Sequence, residues 1–350
     1  MNTYIKNILL CFIALTITQA VFAQADSAYT CASCICEKDA TPAGVMISHV
    51  HAKGEWMLSY RYMNMASRGM QQGTNSISND QIYNQYLMSS DNMSMDMHMF
   101  MAMYGVSKRL TLMTMFEYNV TKMNMVAPEG SGHVHSGSTA SGSAHDMTTS
   151  GLGDVSVTAL YSIVNSKKHH VLVSGGLSIP TGSIQKTGNA SSMYPGIRYP
   201  YMMQEGSGTW DILPGLTYTF KDNKVMASIQ IYSSIRTGYN SVGYKLGNET
   251  VFNNWLAYQF IHWLSSSLRA EVTHVGAMNG YDPAQYAYSE PSANAANYGG
   301  TNVLLYAGLN AYFLGRNKVA LEVGVPLYQN SIGIQPSQYY NIHLMYSIVF

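Results

Sequence analysis

Met93-Ser94-Met95-Asp96-Met97-His98-Met99-Phe100-Met101-Ala102-Met103 puts a methionine at every second position. On a helix a step of two residues turns the side chain by about 200°, which would scatter these thioethers around the cylinder. On a β-strand the same step keeps them on one face. Met57, Met63, Met65, Met113, Met115, Met123 and Met125 continue the pattern, and 17 of the 24 methionines fall between Met46 and Met147. A sheet face paved with soft sulfur needs an explanation.

The first 25 residues read as an export signal, with Lys6 as the positive end, Ile8 to Val21 as the apolar stretch and small residues near Ala23 or Ala25 for cleavage. Beyond it no window reaches the roughly 18 to 20 apolar residues of a membrane-spanning helix. Acidic and basic residues number 19 each, which gives a polyanion such as nucleic acid nothing to bind. Charged residues are 11% of the chain, against about a quarter in soluble globular proteins, and tyrosine reaches 27. An exported, weakly charged, Tyr-rich chain fits an all-β fold: a transmembrane antiparallel up-and-down barrel in a bacterial outer membrane.

Alternation supplies about twelve candidate strands. They are Gly54 to Met65, Ser94 to Val106, Leu110 to Thr121, Leu152 to Val164, His169 to Ile179, Thr209 to Phe220, Val225 to Tyr239, Thr250 to Ile261, Ser265 to Ala277, Asn302 to Leu314, Lys318 to Val325 and Tyr339 to Phe350. In the first, Trp56, Leu58, Tyr60 and Tyr62 oppose Met57, Arg61, Met63 and Met65; charge marks the lumen, so these methionines point inward. Glu117 shares a face with Met113 and Met115 in the third, giving the same parity independently. In Ser265 to Ala277, Arg269 and Glu271 take the inner face and Leu268 and Val272 the outer. Short turns alternate with long loops at Ala66 to Asn92, Ala127 to Gly151, Thr181 to Gly208 and Met278 to Gly300, as in barrels with one end facing the periplasm. The last strand sets Tyr340, Ile342, Leu344, Tyr346, Ile348 and a terminal Phe350 on one face. The division expected is a signal at 1–25, a periplasmic Cys/His-rich segment at 26–53 and the barrel at 54–350.

Several unbroken stretches then carry a family resemblance. Gly105-Val-Ser-Lys-Arg-Leu-Thr-Leu-Met113, Gly151-Leu-Gly-Asp-Val-Ser-Val-Thr-Ala-Leu-Tyr161, Leu177-Ser-Ile-Pro-Thr-Gly-Ser-Ile184 and Gln204-Glu-Gly-Ser-Gly-Thr-Trp-Asp-Ile-Leu-Pro-Gly-Leu-Thr-Tyr218 resemble the outer-membrane transporter-like barrels grouped as "MetA pathway of phenol degradation". Pro42 to Met57 is similar to a Met/His-rich branch of that group associated with heavy metals. The resemblance implies a barrel and brings no catalytic residues. It also implies outer-membrane lipid and the barrel assembly machinery as partners.

Two readings of the methionines are open. Uncharged thioethers bind soft monovalent ions such as Cu(I), so Met57, Met63, Met65, Met97, Met99, Met101, Met103, Met113 and Met115 can relay copper through the lumen. Equally, methionine is a flexible filler for a narrow interior. Cys31, Cys34 and Cys36 can wrap one soft ion, form a disulfide with one thiol left over, or carry a lipid anchor. His49 and His51 flank Val50 and either join those groups or stay hydrated, while His98 with Asp96, and His133, His135 and His145 in a Gly/Ser-rich loop, either gather metal or are solvated. No Gly-x-Ser-x-Gly elbow, His-Glu-x-x-His helix or phosphate-binding glycine loop occurs, so an enzyme is not expected. The expected protein is a monomeric channel or transporter for a soft metal ion such as copper, handing it to or from a periplasmic metal carrier. The alternatives are a porin-like transporter of small hydrophobic or aromatic compounds, and a non-transporting metal-binding or structural surface barrel.

Overall fold

The computed structural model describes residues 39–128, 145–188, 197–314 and 316–350. The export signal at 1–25, Cys31, Cys34 and Cys36, His133, His135 and the side chain of His145 lie outside the described residues. The main strands are β1 (Trp56–Gly73), β2 (Ser89–Gly105), β3 (Leu110–Val126), β4 (His145–Leu152), β5 (Val155–Asn165) and β6 (His169–Ile179). They continue as β7 (Asp211–Asp222), β8 (Val225–Arg236), β9 (Glu249–Ile261), β10 (Leu264–Val275), β11 (Gly300–Phe313) and β12 (Asn317–Val349). Among the described residues no helix is long and apolar enough to cross a membrane.

Apart from β4 and β5, each strand pairs antiparallel with its neighbour in the chain, and the ring closes where β12 meets β1, from Met57 opposite Val349 to Met65 opposite Asn341. Strands β4 and β5 pair with successive halves of β3 and make one pass between them. Strand β12 has 33 residues, which fully extended would reach on the order of 110 Å, several times the apolar band of a membrane barrel. It crosses twice instead. Its first part pairs with β11 up to Ser331, its last part pairs with β1, and Gly333 between them takes a φ of 69° that favours glycine. Side-chain and backbone atoms of Gln329 and Gln338 bond to one another across this fold-back. With β12 counted as two passes and β4 with β5 as one, the wall has the twelve crossings that alternation suggested.

Which residues face lipid follows from parity. Leu58, Phe100, Leu112, Leu256 and Leu268 are exposed on the outer surface, while Thr111, Thr158, Gln230, Asn253 and Arg269 from intervening positions are buried inside. The short turns sit at one end, one of them built on Asn223 with φ 47°, as two-residue hairpin loops require. Strands β1, β2 and β3 run 17 or 18 residues, past the limits expected from alternation. Their extra residues, such as Ser67, Arg68, Gln71 and Gln72, are polar. Apolar patterning stops at the edge of the bilayer, whereas backbone pairing needs no lipid and continues above it.

Candidate functional site

The methionines of β1, β2 and β3 line up in rows across the wall because the register places them opposite one another. Met57 faces Met103, which faces Met113; Met101 faces Met115; Met63 faces Met97; Met65 faces Met95; Met93 faces both Ser67 and Met123. Met123 in turn faces Met147 on β4. Six consecutive rows along β2, about 6.8 Å apart, extend roughly 34 Å, comparable to the hydrocarbon thickness of a bilayer. Met57, Met99, Met101, Met103 and Met113 are buried, and Met63, Met65, Met97 and Met115 are half-buried.

At the end bearing the long loops the rows run into a second cluster. Met93, Met123, Met125 and Met147 are buried with Met203, which the short turn of helix at Tyr201–Met203 drops onto them. Loop residues cover this cluster: Tyr298 accepts a hydrogen bond from the Met202 amide at 3.1 Å, and Tyr201 accepts one from the Asp282 amide at 2.9 Å.

At the opposite end, residues 39–53 enter the barrel. This stretch, expected ahead of the barrel as part of a periplasmic segment, packs against its inner wall. It forms no strand, so its buried backbone groups need other partners. Inward side chains from around the ring supply them. Tyr312 and Lys318 donate to the Asp39 carbonyl at 2.6 and 3.0 Å, and Lys318 also donates to that of Thr41 at 2.8 Å. Arg61 donates to the Val45 carbonyl at 2.9 Å, Thr217 and Gln230 donate to that of Ile47, and the His51 amide donates to Thr111 at 2.8 Å. Donors from β1, β7, β8, β11 and β12 converge on one short segment. Below it a cavity of about 1040 Å³ opens at the short-turn mouth, lined by Asp39, His49, Met57, Arg61, Met101 and Lys318 among others.

The segment rests on a buried charge network. Arg269 pairs with Glu322 through two hydrogen bonds of 2.9 and 3.0 Å, contacts Glu271, and lies 3.8 Å above the Tyr306 ring. Its planar fork suits bidentate pairing with a carboxylate. Gly44 presses against this pair: a Cβ there would collide with the Arg269 guanidinium and come within 2.6 Å of Glu322.

His49 and His51 both lie in the inserted segment, with ring centroids 4.9 Å apart. Burial lowers the pKa of His49 to about 4, against the pull of Asp39 at 3.5 Å. Burial lowers that of His51 too, although Glu55 at 3.1 Å opposes it. Asp39 is pushed up by burial, yet Lys318, His49, Thr41 and Lys221 together hold it well below the usual carboxylate range.

The structure thus gathers Met57, Met63, Met65, Met97, Met99, Met101, Met103, Met113 and Met115 on one inner wall and brings His49 and His51 near its short-turn end. His98 is not among them. It has the outward parity of β2, stacks beside Tyr60 and Tyr62 and bonds the Tyr60 hydroxyl at 2.8 Å. Among the described residues no three His, Cys, Asp or Glu side chains are grouped to hold a metal ion. One inward residue escaped sequence reading: His343 on β12, buried, opposite Met63. The apolar face of its strand drew attention, while the alternate positions Asn341, His343, Met345 and Ser347 held the signal.

The family model described as "Putative MetA-pathway of phenol degradation" matches residues 114–282. The crystal structure of an outer membrane channel from Pseudomonas putida F1 superposes with a TM-score of 0.58 at 14% identity, covering 88% of this chain and 98% of that one. The P. putida toluene transporter TodX gives a TM-score of 0.42 at 10% identity, over 93% and 96% of the two chains. No protein of curated function matches the sequence. A closed antiparallel ring with a lipid-facing apolar belt gives this chain the fold of an outer-membrane β-barrel, and its residues 114–282 are similar to the transporter-like family that the model describes.

Proposed function

We propose that the barrel is a gated passage across the outer membrane for small, weakly polar solutes, with aromatic compounds as the first class to consider. The carrying observation is the continuous run of six methionines along β2, flanked by further methionines of β1 and β3, between the loop-covered end and the cavity at the short-turn mouth. Methionine side chains are flexible and polarisable, so they offer an apolar lining that adapts to planar guests. The description of the matching family supports this solute class. Residues 39–53, held against the inner wall by donors from five strands, act as the gate. Uptake of phenol into liposomes carrying the barrel, compared with empty vesicles, tests the reading; equal rates in the two would end it.

A second reading rests on the regularity of the wall. Filler can use any apolar residue at these inward positions, whereas stepwise transfer of a soft cation such as Cu(I) needs a thioether at each of the six along β2. Changing Met99, Met101, Met113 and Met115 to leucine keeps volume and apolarity but removes sulfur. Phenol uptake then persists under the first reading, and Ag(I) or Cu(I) flux collapses under the second.

A further inference from the structure

Midway along the methionine wall lies a row that differs from the others. His343 on β12 stands opposite Met63 on β1, Met63 opposite Met97 on β2, and Met97 opposite Asn119 on β3. His343 is 6% exposed, and neither of its ring nitrogens has a hydrogen-bond partner. The Asn119 side-chain oxygen is likewise buried and unpartnered, as is that of Asn341 in the next row. Leaving such groups buried and unsatisfied is costly, so a ligand that satisfied them would gain from it. Tyr306 packs beside the imidazole at 5.6 Å between centroids, a tilted ring contact that supplies no hydrogen bond to its nitrogens.

We propose that His343, Met63 and Met97 form a binding site for a soft monovalent cation, Cu(I) in biology and Ag(I) as its redox-inert probe. Neutral imidazole nitrogen and thioether sulfur together are the donor set such ions prefer, and directly opposite residues in adjacent strands are close enough to share one ion. No carboxylate sits in the row, so a hard divalent ion would find only neutral amide oxygen there and no charge to balance its own. Nearby charge is balanced: Arg61 and Arg269 are offset by Glu271 and Glu322, and Arg61 turns its guanidinium toward the Gly44 and Val45 carbonyls. The half-buried Met63 and Met97 leave the site open on its inner side. The role assigned to the ion rests on the cation reading given above, while the site itself does not.

The test uses the full chain in detergent micelles with methyl-labelled methionine, and Cys31→Ser, Cys34→Ser and Cys36→Ser changes to remove competing thiols. One equivalent of Ag(I) should shift the methyl signals of Met63 and Met97 before those of Met93 and Met123. His343→Phe and Met97→Leu should each weaken Ag(I) binding at least tenfold, with Met97→Leu, nearly equal in volume, guarding against a folding defect. Shifts confined to other rows, or unchanged affinity in both variants, would overturn the proposal. Ag(I) bound at this row without flux into liposomes keeps the site and removes the transport reading. Flux without binding here does the reverse.

Discussion

The backbone amide of Gly44 donates a hydrogen bond of 2.8 Å to Glu322, a residue 278 positions later in the chain. That contact joins the inserted N-terminal segment to the charge pair at the centre of the barrel, and only glycine leaves room for it. Gly44→Leu should therefore dislodge the segment while the Arg269–Glu322 pair holds the wall together. Overpacking costs about 1 to 3 kcal/mol, enough to raise the open population roughly five- to 150-fold. Single-channel recordings should show longer or more frequent openings; wild-type conductance would mean that the segment does not gate.

Removing Glu322 has a different consequence. Both partners of the Arg269–Glu322 pair are fully buried, so Glu322→Ala strands a guanidinium with Glu271 as its remaining carboxylate partner. A broken buried pair costs about 3 to 5 kcal/mol. Urea unfolding in detergent should register that loss, whereas Lys168→Ala, which breaks the exposed pair with Asp222, should change stability by less than about 1 kcal/mol.

Acid should release the inserted segment. His49 has a docked pKa of about 4, below its free value of 6.5. Above pH 6.5 both states are neutral at this ring and docking is at full strength. Between 6.5 and 4 only the undocked state takes up the proton, so docking weakens by up to about 1.4 kcal/mol per pH unit; below 4 the loss is complete. His51, shifted in the same direction, adds to the effect, and Asp39 stays ionised throughout the window. Conductance should rise as pH falls from 6.5 to 4, and His49→Gln should flatten that rise.

Parity makes the outer surface testable as well. Leu268 is 58% exposed on the outside of β10, between the inward residues Ser267 and Arg269. Leu268→Arg should cost about 2 to 4 kcal/mol near the bilayer midplane, read by folding equilibria into lipid vesicles. No loss would mean that this face does not contact hydrocarbon.

The lipid belt and the inner methionine face were legible because alternation is a local property, with Arg61 and Glu117 marking the same side in separate strands. Strand ends were less so. The polar continuation of β1 past Ala66 carries no apolar rhythm, and its pairing with β12 depends on a partner more than 250 residues away. His343 was hidden for another reason: in sequence it is one polar residue in an apolar strand, and only ring closure sets it opposite Met63.

Sequence alone determined that this chain forms a membrane barrel and which side chains point inward, since a two-residue period and a charged marker suffice for both. Tertiary structure decided that residues 39–53 fill the interior. That segment has no periodicity to read, and the donors holding it, Arg61, Thr217, Gln230, Tyr312 and Lys318, come together only when the sheet closes on itself.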